Sequence, residues 1–487
     1  MSANTALARD DSITSFDGTR IVLSFFPAEG LQPGQKAPTV LVGPGWGVPR
    51  DTDENSQTVA AFGAVGLGPL RAAGYNVLTW DPRGFGQSGG TVEADSPDFE
   101  ARDASALISY VARQPEAKLD KAGDPRVGMA GASYGGGIQL VTAAIDRRVD
   151  AITPDIAWNS LVTSLYKAQS VKGGWSNLLF GLGIVSSTIP GLPAGETGNL
   201  DPHIASAYQS GLVSGQLSDE DVQWFASRGP GSLVGKIQAP TLLIQGTADT
   251  LFTLDEAIRN YGILRKNRVA TKMIWFCGGH GACFTSSGPT GFVEDAIINW
   301  FARYLKRDRT VDTGQRFQWI ADDGEVRTAS DYPLPLKRYV TGTGSGTLAF
   351  SPDVASSGTA IAATPGTNAV RVAIPAPEAG SQIVGTPKLT LSYSGLANQT
   401  SVVLYAQLVD NVRHVVVGNV VTPLRVVLDG GVHTATVPLE DIAASADPGS
   451  SYTLEIIPYT SVYGPQRSAG AITLAKIDVS LPVVSTP

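Results

Sequence analysis

Residues 131–135 read Gly-Ala-Ser-Tyr-Gly, a G-x-S-x-G pattern between an apolar run at residues 126–130 and a helical pattern at residues 137–147. A strand that turns sharply into a helix lifts the central serine above the carboxyl edge of a sheet, and flanking glycines avoid a clash in that turn. The pattern alone is weak in a chain with 55 glycines. Its position between a strand and a helix favours a nucleophilic Ser133 over a glycine-rich turn without catalysis.

A serine nucleophile needs a base within hydrogen-bond reach, because the hydroxyl is poorly reactive at neutral pH. The chain has four histidines, His203, His280, His414 and His433. The last two fall in the β-rich C-terminal region, and His203 follows Asp201 and Pro202, which indicates a helix start or a surface position. His280 lies in a glycine-rich loop after the last apolar strand of the first region, so elimination favours His280 as the base.

The acid that orients the histidine is expected after another strand, between the serine and the histidine in chain order. Residues 242–246 form such an apolar strand, and Asp249 closes the turn that follows it. Asp255 and Glu256 are competitors, but they suit the first turn of the next helix, where carboxylates complement the helix dipole. Asp249 is therefore predicted to accept the Nδ1–H bond of the histidine.

An oxyanion hole requires two donors. The main-chain N–H of Tyr134, directly after the predicted nucleophile, is one candidate. The second is expected in the loop at residues 43–47, Gly-Pro-Gly-Trp-Gly, which follows an apolar strand. The N–H of Trp46 is our choice, with Gly47 as the second choice, and the alternative is a tight turn without this role.

The alternation of short apolar strands with helical patterns over residues 1–310 predicts a mostly parallel sheet with helices on both faces, an α/β class domain. The alternation stops at residues 159–236, which predicts an inserted cap. From residue 311 to 487, Val, Thr, Ser and Gly dominate, turns recur, and helical periodicity is absent, which predicts an all-β sandwich. Trp158, Trp175 and Phe180 could line the substrate pocket, although packing between cap and core is the commoner fate of such residues.

Two cysteines, Cys277 and Cys283, flank the predicted base in the run CGGHGAC. They are either two separate buried thiols or a disulfide that clamps the histidine loop, because sequence alone cannot establish the required geometry. A disulfide would imply an oxidising compartment. A metal site is not expected, since His280 is the only other ligand type near the pair.

The 487 residues suit two or three domains, and the 43% hydrophobic content supplies a sizeable core. A net charge of −8 without a run of Lys or Arg argues against a nucleic-acid partner. No stretch reaches the apolar length of a membrane span, and no secretory signal core is evident. The expectation is a soluble protein, exported rather than cytoplasmic, whose oligomeric state the sequence does not reveal.

The run WDPRGFGQSGG at residues 80–90, GASYGG at residues 131–136, the Gly-x-x-Asp turn at Asp249 and the β-rich C-terminal region resemble the cocaine esterase/X-Pro dipeptidyl peptidase (CocE/NonD) group of serine hydrolases. The resemblance implies an α/β-hydrolase domain, a helical cap, and a jelly-roll domain that helps to wall the active site. It implies hydrolysis of esters or amides without a metal or organic cofactor. By the match of motifs, Ser133, Asp249 and His280 carry the triad.

One departure concerns the oxyanion loop, because members of this group commonly donate a tyrosine hydroxyl from it and GPGWG has no tyrosine. Peptidase and amino-acid ester members also need carboxylates that grip a substrate ammonium. The candidates in the predicted cap are Glu196, Asp201, Asp219, Glu220 and Asp221, of which the last three suit a solvated acidic stretch.

The sequence therefore favours a carboxylic ester hydrolase acting through an acyl-enzyme. The alternatives are an X-Pro dipeptidyl peptidase or other amide hydrolase, an acyltransferase with the same triad, and a binding protein that retains the fold. The expected partner is a small-molecule ester or a short peptide.

Overall fold

The protein is described by a computed structural model over residues 6–188, 198–352 and 359–485. In the first part, short apolar runs form strands, most of which join one large sheet. These strands are β1 (Arg9–Thr14), β2 (Arg20–Phe26), β3 (Thr39–Val42), β4 (Asn76–Trp80), β5 (Leu119–Lys121), β6 (Asp124–Pro125), β7 (Val127–Ala132), β8 (Val149–Asp155), β9 (Thr241–Gly246), β10 (Thr271–Phe276), β11 (Phe317–Ile320) and β12 (Val326–Ala329).

The large sheet has ten strands in the order β1-β2-β4-β3-β7-β8-β9-β10-β11-β12, while β5 and β6 form a separate hairpin. Its interior strands run parallel, and the pairs at the edges are antiparallel. Every residue of β3, β4, β7, β9 and β10 is buried. Burial of a whole strand requires cover on both faces, which explains why these runs are continuously apolar rather than alternating.

Nine α-helices lie in the described ranges, and the four between β8 and β9 form a cap inserted between two sheet strands. The α/β-hydrolase fold with an inserted helical cap is therefore confirmed. The helices are α1 (Leu67–Ala72), α2 (Glu100–Val111), α3 (Tyr134–Ile145), the cap helices α4 (Leu161–Leu165), α5 (Gly173–Ser187), α6 (Pro202–Ser214) and α7 (Asp219–Ala226), and then α8 (Leu254–Lys266) and α9 (Phe292–Tyr304).

The C-terminal part is an antiparallel all-β domain with its own apolar core, as the sequence predicted. We call it the β domain. Its strands are β13 (Leu336–Phe350), β14 (Val370–Ile374), β15 (Gln382–Gly385), β16 (Lys388–Asp410), β17 (Val415–Pro438), β18 (Ile442–Ser445), β19 (Tyr452–Ile457) and β20 (Gly470–Val484).

The pairing of β11 and β12 indicates where the hydrolase domain ends and the β domain begins. Strand β11 pairs in parallel with β10, and β12 pairs antiparallel with β11, so both extend the large sheet beyond residue 310. We therefore propose a domain boundary near residue 330 rather than near residue 310. Within the described ranges, no helix combines the length and apolarity needed to cross a bilayer.

Candidate active site

Ser133 lies in the sharp turn between β7 and α3, with φ 58° and ψ −117°. This left-handed backbone conformation is strained for a residue with a side chain, and such strain persists only where the surroundings enforce it. A Cβ atom on Gly131 or Gly135 would collide with the carbonyl oxygen of Gly43, so the turn packs against the β3 loop closely enough to require glycine. The G-x-S-x-G pattern thus folds as the sequence predicts, with Ser133 at the carboxyl edge of the sheet.

The structure brings together the three side chains that the sequence selected. His280 Nε2 lies 2.8 Å from Ser133 Oγ, and His280 Nδ1 lies 2.7 Å from Asp249 Oδ2. Asp249 follows β9 and His280 follows β10, which are parallel neighbours in the sheet. Because parallel strands end at the same edge, short loops suffice to align the aspartate, the histidine and the serine in one line.

The turn at residues 249–252, which we call the acid turn, fixes the Asp249 carboxylate. Oδ1 of Asp249 accepts the main-chain N–H groups of Leu251 at 2.9 Å and Phe252 at 2.7 Å, while Oδ2 faces the imidazole. The Asp249 side chain is 0% exposed. Two main-chain donors and one imidazole donor compensate a carboxylate that has lost its water.

The His280 ring is held between two aromatic side chains. Phe252 contacts it at a centroid distance of 5.1 Å and an interplanar angle of 89°, and Trp175 does so at 5.6 Å and 87°. Both contacts are edge-to-face, a favoured geometry for aromatic pairs. Two ring contacts therefore restrain the imidazole in addition to the hydrogen bonds at both of its nitrogens.

Asp155, the last residue of β8, is a buried carboxyl that sequence reasoning missed. Its main-chain oxygen accepts the N–H of Ser133 at 2.9 Å. Burial, reinforced by the negative charge of Asp249, raises the pKa of Asp155 well above its usual range. The strand-end rule that selected Asp249 also fits Asp155, but the imidazole pairs with Asp249. The raised pKa favours the uncharged form of Asp155.

The two predicted oxyanion donors lie on adjacent elements. Tyr134 is the first residue of α3, where a main-chain N–H has no acceptor within its helix. Trp46 lies in a turn closed by the bond from Val48 N to Gly45 O, and its ring contacts the Tyr134 ring edge-to-face at 5.4 Å. The indole N–H of Trp46 donates to Leu179 O at 2.9 Å. The donor that Trp46 retains for an oxyanion is therefore its main-chain N–H, and the role of both donors stays a prediction.

A cavity of about 120 Å³ lies between Ser133 and the cap. Trp158 and Phe180, two of the aromatic residues proposed from the sequence, line it together with aliphatic cap residues such as Leu161 and Leu165. Within the described part of the chain, no charged side chain lines this cavity, and its polar side chains are serines and tyrosines. It can therefore accept an apolar group beside the serine hydroxyl.

Trp175 does not line this cavity in the described chain, unlike the other two aromatic residues predicted for the pocket. It lies in the first turn of α5, where its ring contacts His280 and its Nε1–H donates to Thr250 Oγ1 at 3.0 Å. The helix turns this indole toward the acid turn, and its predicted place in the substrate pocket stays a prediction.

A family model described as X-Pro dipeptidyl-peptidase (S15 family) matches residues 17–282. The matched span contains Ser133, Asp249 and His280. The chain belongs to this family. The resemblance to the cocaine esterase/X-Pro dipeptidyl peptidase group is confirmed, and family and fold together support a serine hydrolase of the ester hydrolase or X-Pro peptidase type.

Curated relatives of the chain carry different names. A protein of Rhodopirellula baltica with the provisional name Xaa-Pro dipeptidyl-peptidase is 27% identical over 284 residues, which cover 53% of this chain and 43% of that protein. The polyketide transferase grgF of Penicillium sp is 29% identical over 152 residues, which cover 31% of this chain and 45% of that protein. The chain spans less than half of the length of these relatives.

Solved structures share the fold over nearly the whole chain. An α-amino acid ester hydrolase matches with a TM-score of 0.74 and 13% identity, covering 99% of this chain and 97% of that one. A CocE/NonD family hydrolase from Staphylococcus aureus matches with a TM-score of 0.69 and 14% identity, covering 98% and 93%. At this identity the likeness establishes the fold alone.

None of the acidic candidates for binding a substrate ammonium that the structure describes lines the cavity. Asp201 caps α6 by accepting the N–H of His203 at 2.9 Å, and Asp219 and Glu220 are exposed in the first turn of α7. Asp221 is buried, but it accepts bonds from Ser206 and Ser218 and lies 3.0 Å from His203 Nδ1. Glu196 lies outside the described residues.

The competing acids and His203 also have structural partners. Asp255 pairs with Lys167 at 3.1 Å, and Glu256 accepts the main-chain N–H groups of Asn159 and Ser160. His203 lies on cap helix α6, and its ring stacks on the Trp224 ring with a centroid distance of 5.5 Å. These contacts agree with the structural roles expected for the three residues.

The β domain contacts the His280 loop rather than the cavity. Ala282 N donates to Ile361 O at 2.8 Å, and Asn419 Nδ2 donates to Ala282 O at 2.6 Å. Among the described lining residues of the cavity, none comes from the β domain. The β domain therefore supports the loop that carries His280, and the wall that the family resemblance implied stays a prediction.

Cys277 and Cys283 form a disulfide across this same loop. Between them, a Cβ atom on Gly281 would collide with the carbonyl oxygen of Ala248, so the loop packs directly on the acid turn. The alternative of two separate thiols is wrong in this structure. The bridge closes a short loop around His280 and restricts the conformations available to it.

We expect thiol titration of the denatured, unreduced protein to detect no free thiol, and titration after reduction to detect two. Removal of the bridge in a Cys277→Ser/Cys283→Ser double variant should lower the free energy of unfolding by about 2 kcal/mol, because a loop of this length is constrained in the unfolded chain. Two reactive thiols before reduction would contradict the assignment.

Proposed function

We propose that the chain hydrolyses carboxylic esters with an apolar acyl group through an acyl-enzyme on Ser133. His280 Nε2 accepts the hydroxyl proton as Ser133 Oγ attacks the acyl carbon, and Asp249 stabilises the imidazolium that forms. His280 then gives the proton to the departing alcohol. A water molecule attacks the acyl-enzyme with His280 again as the base, which releases the carboxylic acid and restores Ser133.

The observation that carries this proposal is the aligned contact of Asp249, His280 and Ser133, at 2.7 Å and 2.8 Å. Such distances are those needed for proton transfer from a serine through an oriented imidazole. The N-terminal end of α3 lies at Ser133, and the partial positive charge of a helix N-terminus favours negative charge that develops there. The main-chain N–H groups of Tyr134 and Trp46 are the proposed oxyanion donors.

The lining of the cavity supports an apolar acyl group. Aliphatic and aromatic side chains from the cap and from Leu251 and Phe252 surround the space beside Ser133. An ammonium group placed there would lose its water without meeting a carboxylate among the described lining residues, which is costly. A dipeptidyl peptidase must accept the free amino terminus of its substrate, so this lining favours an ester with an uncharged acyl part.

The main alternative is an X-Pro dipeptidyl peptidase, and the family description favours it. A second alternative is acyl transfer from Ser133 to an alcohol, for which the similarity to the polyketide transferase grgF is the supporting observation. All three reactions share the acyl-enzyme and differ in the group that the pocket holds and in the nucleophile that releases the acyl group.

The test is hydrolysis of p-nitrophenyl esters of increasing acyl length, beside an X-Pro p-nitroanilide, with Ser133→Ala as the control. We expect turnover of esters that depends on Ser133, with a preference for apolar acyl chains. An ester whose acyl chain ends in a carboxylate should react about 100-fold or more slowly than its uncharged counterpart, because the cavity offers that charge no partner.

Serine-dependent cleavage of the anilide at a rate comparable to the esters would contradict the ester proposal and favour the peptidase. Release of the acyl group only after an alcohol is added, with the ester formed as product, would favour acyl transfer. Equal rates for charged and uncharged acyl chains would contradict the use of the apolar cavity as the acyl site.

We also propose that the protein folds in an oxidising compartment. The disulfide between Cys277 and Cys283 supports this proposal, because bridges of this kind persist outside the reducing cytosol.

A further inference from the structure

The residues Lys172-Gly173-Gly174-Trp175 form the start of cap helix α5 and lie where the cap, the acid turn and the β domain meet. We call these four residues the joint. It contains two large side chains that face the acid turn and two glycines that face the β domain. The mechanism proposed above does not use it.

Both large side chains of the joint bond to the acid turn. Lys172 Nζ donates to Leu251 O at 2.9 Å, and Trp175 Nε1 donates to Thr250 Oγ1 at 3.0 Å. The N–H on the other side of that peptide unit belongs to Phe252, and it donates to Asp249 Oδ1 at 2.7 Å. The peptide that orients the carboxylate is thereby held from its opposite side by the cap.

Trp175 also reaches the histidine directly. Its ring meets the His280 ring edge-to-face at 5.6 Å, in addition to the contact made by Phe252. The joint therefore touches both members of the Asp249–His280 pair, one through the acid turn and one through ring packing. Among the described residues, the joint does not line the cavity beside Ser133, and its contacts at the site are with the acid turn and His280.

The glycines of the joint pack against the β domain. Gly173 N donates to Tyr463 O at 2.6 Å, and Gly174 N donates to Val462 O at 3.3 Å, so β-domain carbonyls cap the start of α5. A Cβ atom on either glycine would collide with a β-domain carbonyl oxygen. The close approach explains why two glycines stand at the start of a helix that they would otherwise destabilise.

The ammonium of Lys172 is completely buried, with the residue 2% exposed. Burial lowers the pKa of Lys172 to about 8, against the opposing effect of the Glu440 carboxylate. Lys167, Asp249 and Glu256 also act on it electrostatically, and the Tyr463 ring lies 5.6 Å from Nζ. A buried ammonium without several such partners would be strongly unfavourable, which indicates a defined position for this side chain.

We propose that Lys172 and Trp175 are positioning residues that hold the Asp249–His280 pair in its reactive geometry and that the β domain fixes them through Gly173 and Gly174. This inference rests on the proposed function of Ser133, His280 and Asp249. It assigns the cap and the β domain a part in aligning the base.

The test compares Lys172→Met with Lys167→Met. Both variants remove a cation from the same region, fully buried at Lys172 and partly buried at Lys167, but Lys167 bonds Asp255 and Glu440 and makes no bond to the acid turn. We expect Lys172→Met to lower kcat about tenfold or more, since small misplacements of catalytic groups have effects of this size, with KM changed less than about twofold. Lys167→Met should lose thermal stability and keep its kcat.

A second measurement reports on the hydrogen bond between Asp249 and His280 in the absence of substrate. The downfield proton resonance of the His280 Nδ1–H bonded to Asp249 should broaden or move upfield in Lys172→Met and in Trp175→Leu, and stay unchanged in Lys167→Met. Trp175→Phe, which retains a ring against His280, should restore part of the kcat lost in Trp175→Leu.

The inference is overturned if Lys172→Met and Trp175→Leu keep both the resonance and the kcat of the wild type. It is also overturned if Lys167→Met loses kcat and the resonance to the same extent, because the effect would then reflect general stability. Wild-type turnover that does not depend on Ser133 would instead refute the proposed function, and the resonance would still decide whether the joint positions the pair.

Discussion

Replacement of Ser133 by alanine is expected to lower kcat/KM for a p-nitrophenyl ester by about 10⁶-fold, close to the complete loss of turnover. The hydroxyl is the group that would form the covalent bond to the acyl carbon, and no other described hydroxyl is bonded to His280. Removal of Oγ leaves a small space at a strained turn but no unpaired buried charge. The variant should therefore fold, and its melting temperature should be close to that of the wild type.

Ser210→Ala provides the matched control for this variant. Ser210 lies on cap helix α6 and bonds carbonyl oxygens of its own helix, away from the cavity lining. It should retain kcat/KM within about twofold, because substitutions away from the core and the active site generally have small effects. Residual turnover in Ser133→Ala above a few per cent of the wild type would mean that another group forms the acyl bond.

Replacement of His280 by alanine is expected to be about as damaging as loss of Ser133, again about 10⁶-fold, because residues that act as one unit cost nearly the full effect when either is removed. The double variant with Ser133→Ala should lose little more than either single variant. Both can be measured as kcat/KM for the same ester, with circular dichroism as the check on folding.

His203 supplies an internal control, since it too forms a His–Asp pair, with Nδ1 3.0 Å from Asp221 Oδ1. The difference lies at the other nitrogen, which in His280 meets Ser133 Oγ at 2.8 Å. His203→Ala should change kcat/KM less than about threefold and act mainly on the stability of the cap. Equal losses of activity in the two histidine variants would refute the assignment of the base.

The contacts of Ser133, Asp249 and His280 were predictable because each lies in a loop that directly follows a buried parallel strand. Buried parallel strands can be recognised in the sequence as continuous apolar runs. Because parallel strands end at the same edge of the sheet, the loops that follow them lie close together. Glycine at residues 131 and 135 adds a local signal for the serine turn. The glycine-rich loop after β10 similarly marked His280 among four histidines.

The side-chain directions in the cap were not predictable from the same kind of evidence. Trp158 and Phe180 line the cavity and Trp175 does not, although all three are aromatic residues of the same segment. The direction of Trp175 depends on where α5 starts, and α5 starts where β-domain carbonyls meet Gly173 and Gly174. That contact joins residues far apart in sequence, and no local pattern records it.

The limits of the domain assignment have a similar cause. Residues 317–320, Phe-Gln-Trp-Ile, are apolar enough for a strand of the hydrolase sheet or of the β domain. Their pairing with β10 places them in the hydrolase sheet. The bridge between Cys277 and Cys283 also depended on how the loop folds back onto Ala248. In both cases the deciding partner comes from the fold and not from a local sequence pattern.

The most direct measurement of the central claim is peptide mass mapping after a brief reaction with a slowly deacylating p-nitrophenyl ester, quenched in acid. We expect one acyl group per chain, located on the peptide that contains Ser133, and no acylation in Ser133→Ala. An acyl group on a different residue, or hydrolysis of the ester with no acylated peptide under single-turnover conditions, would contradict the acyl-enzyme mechanism.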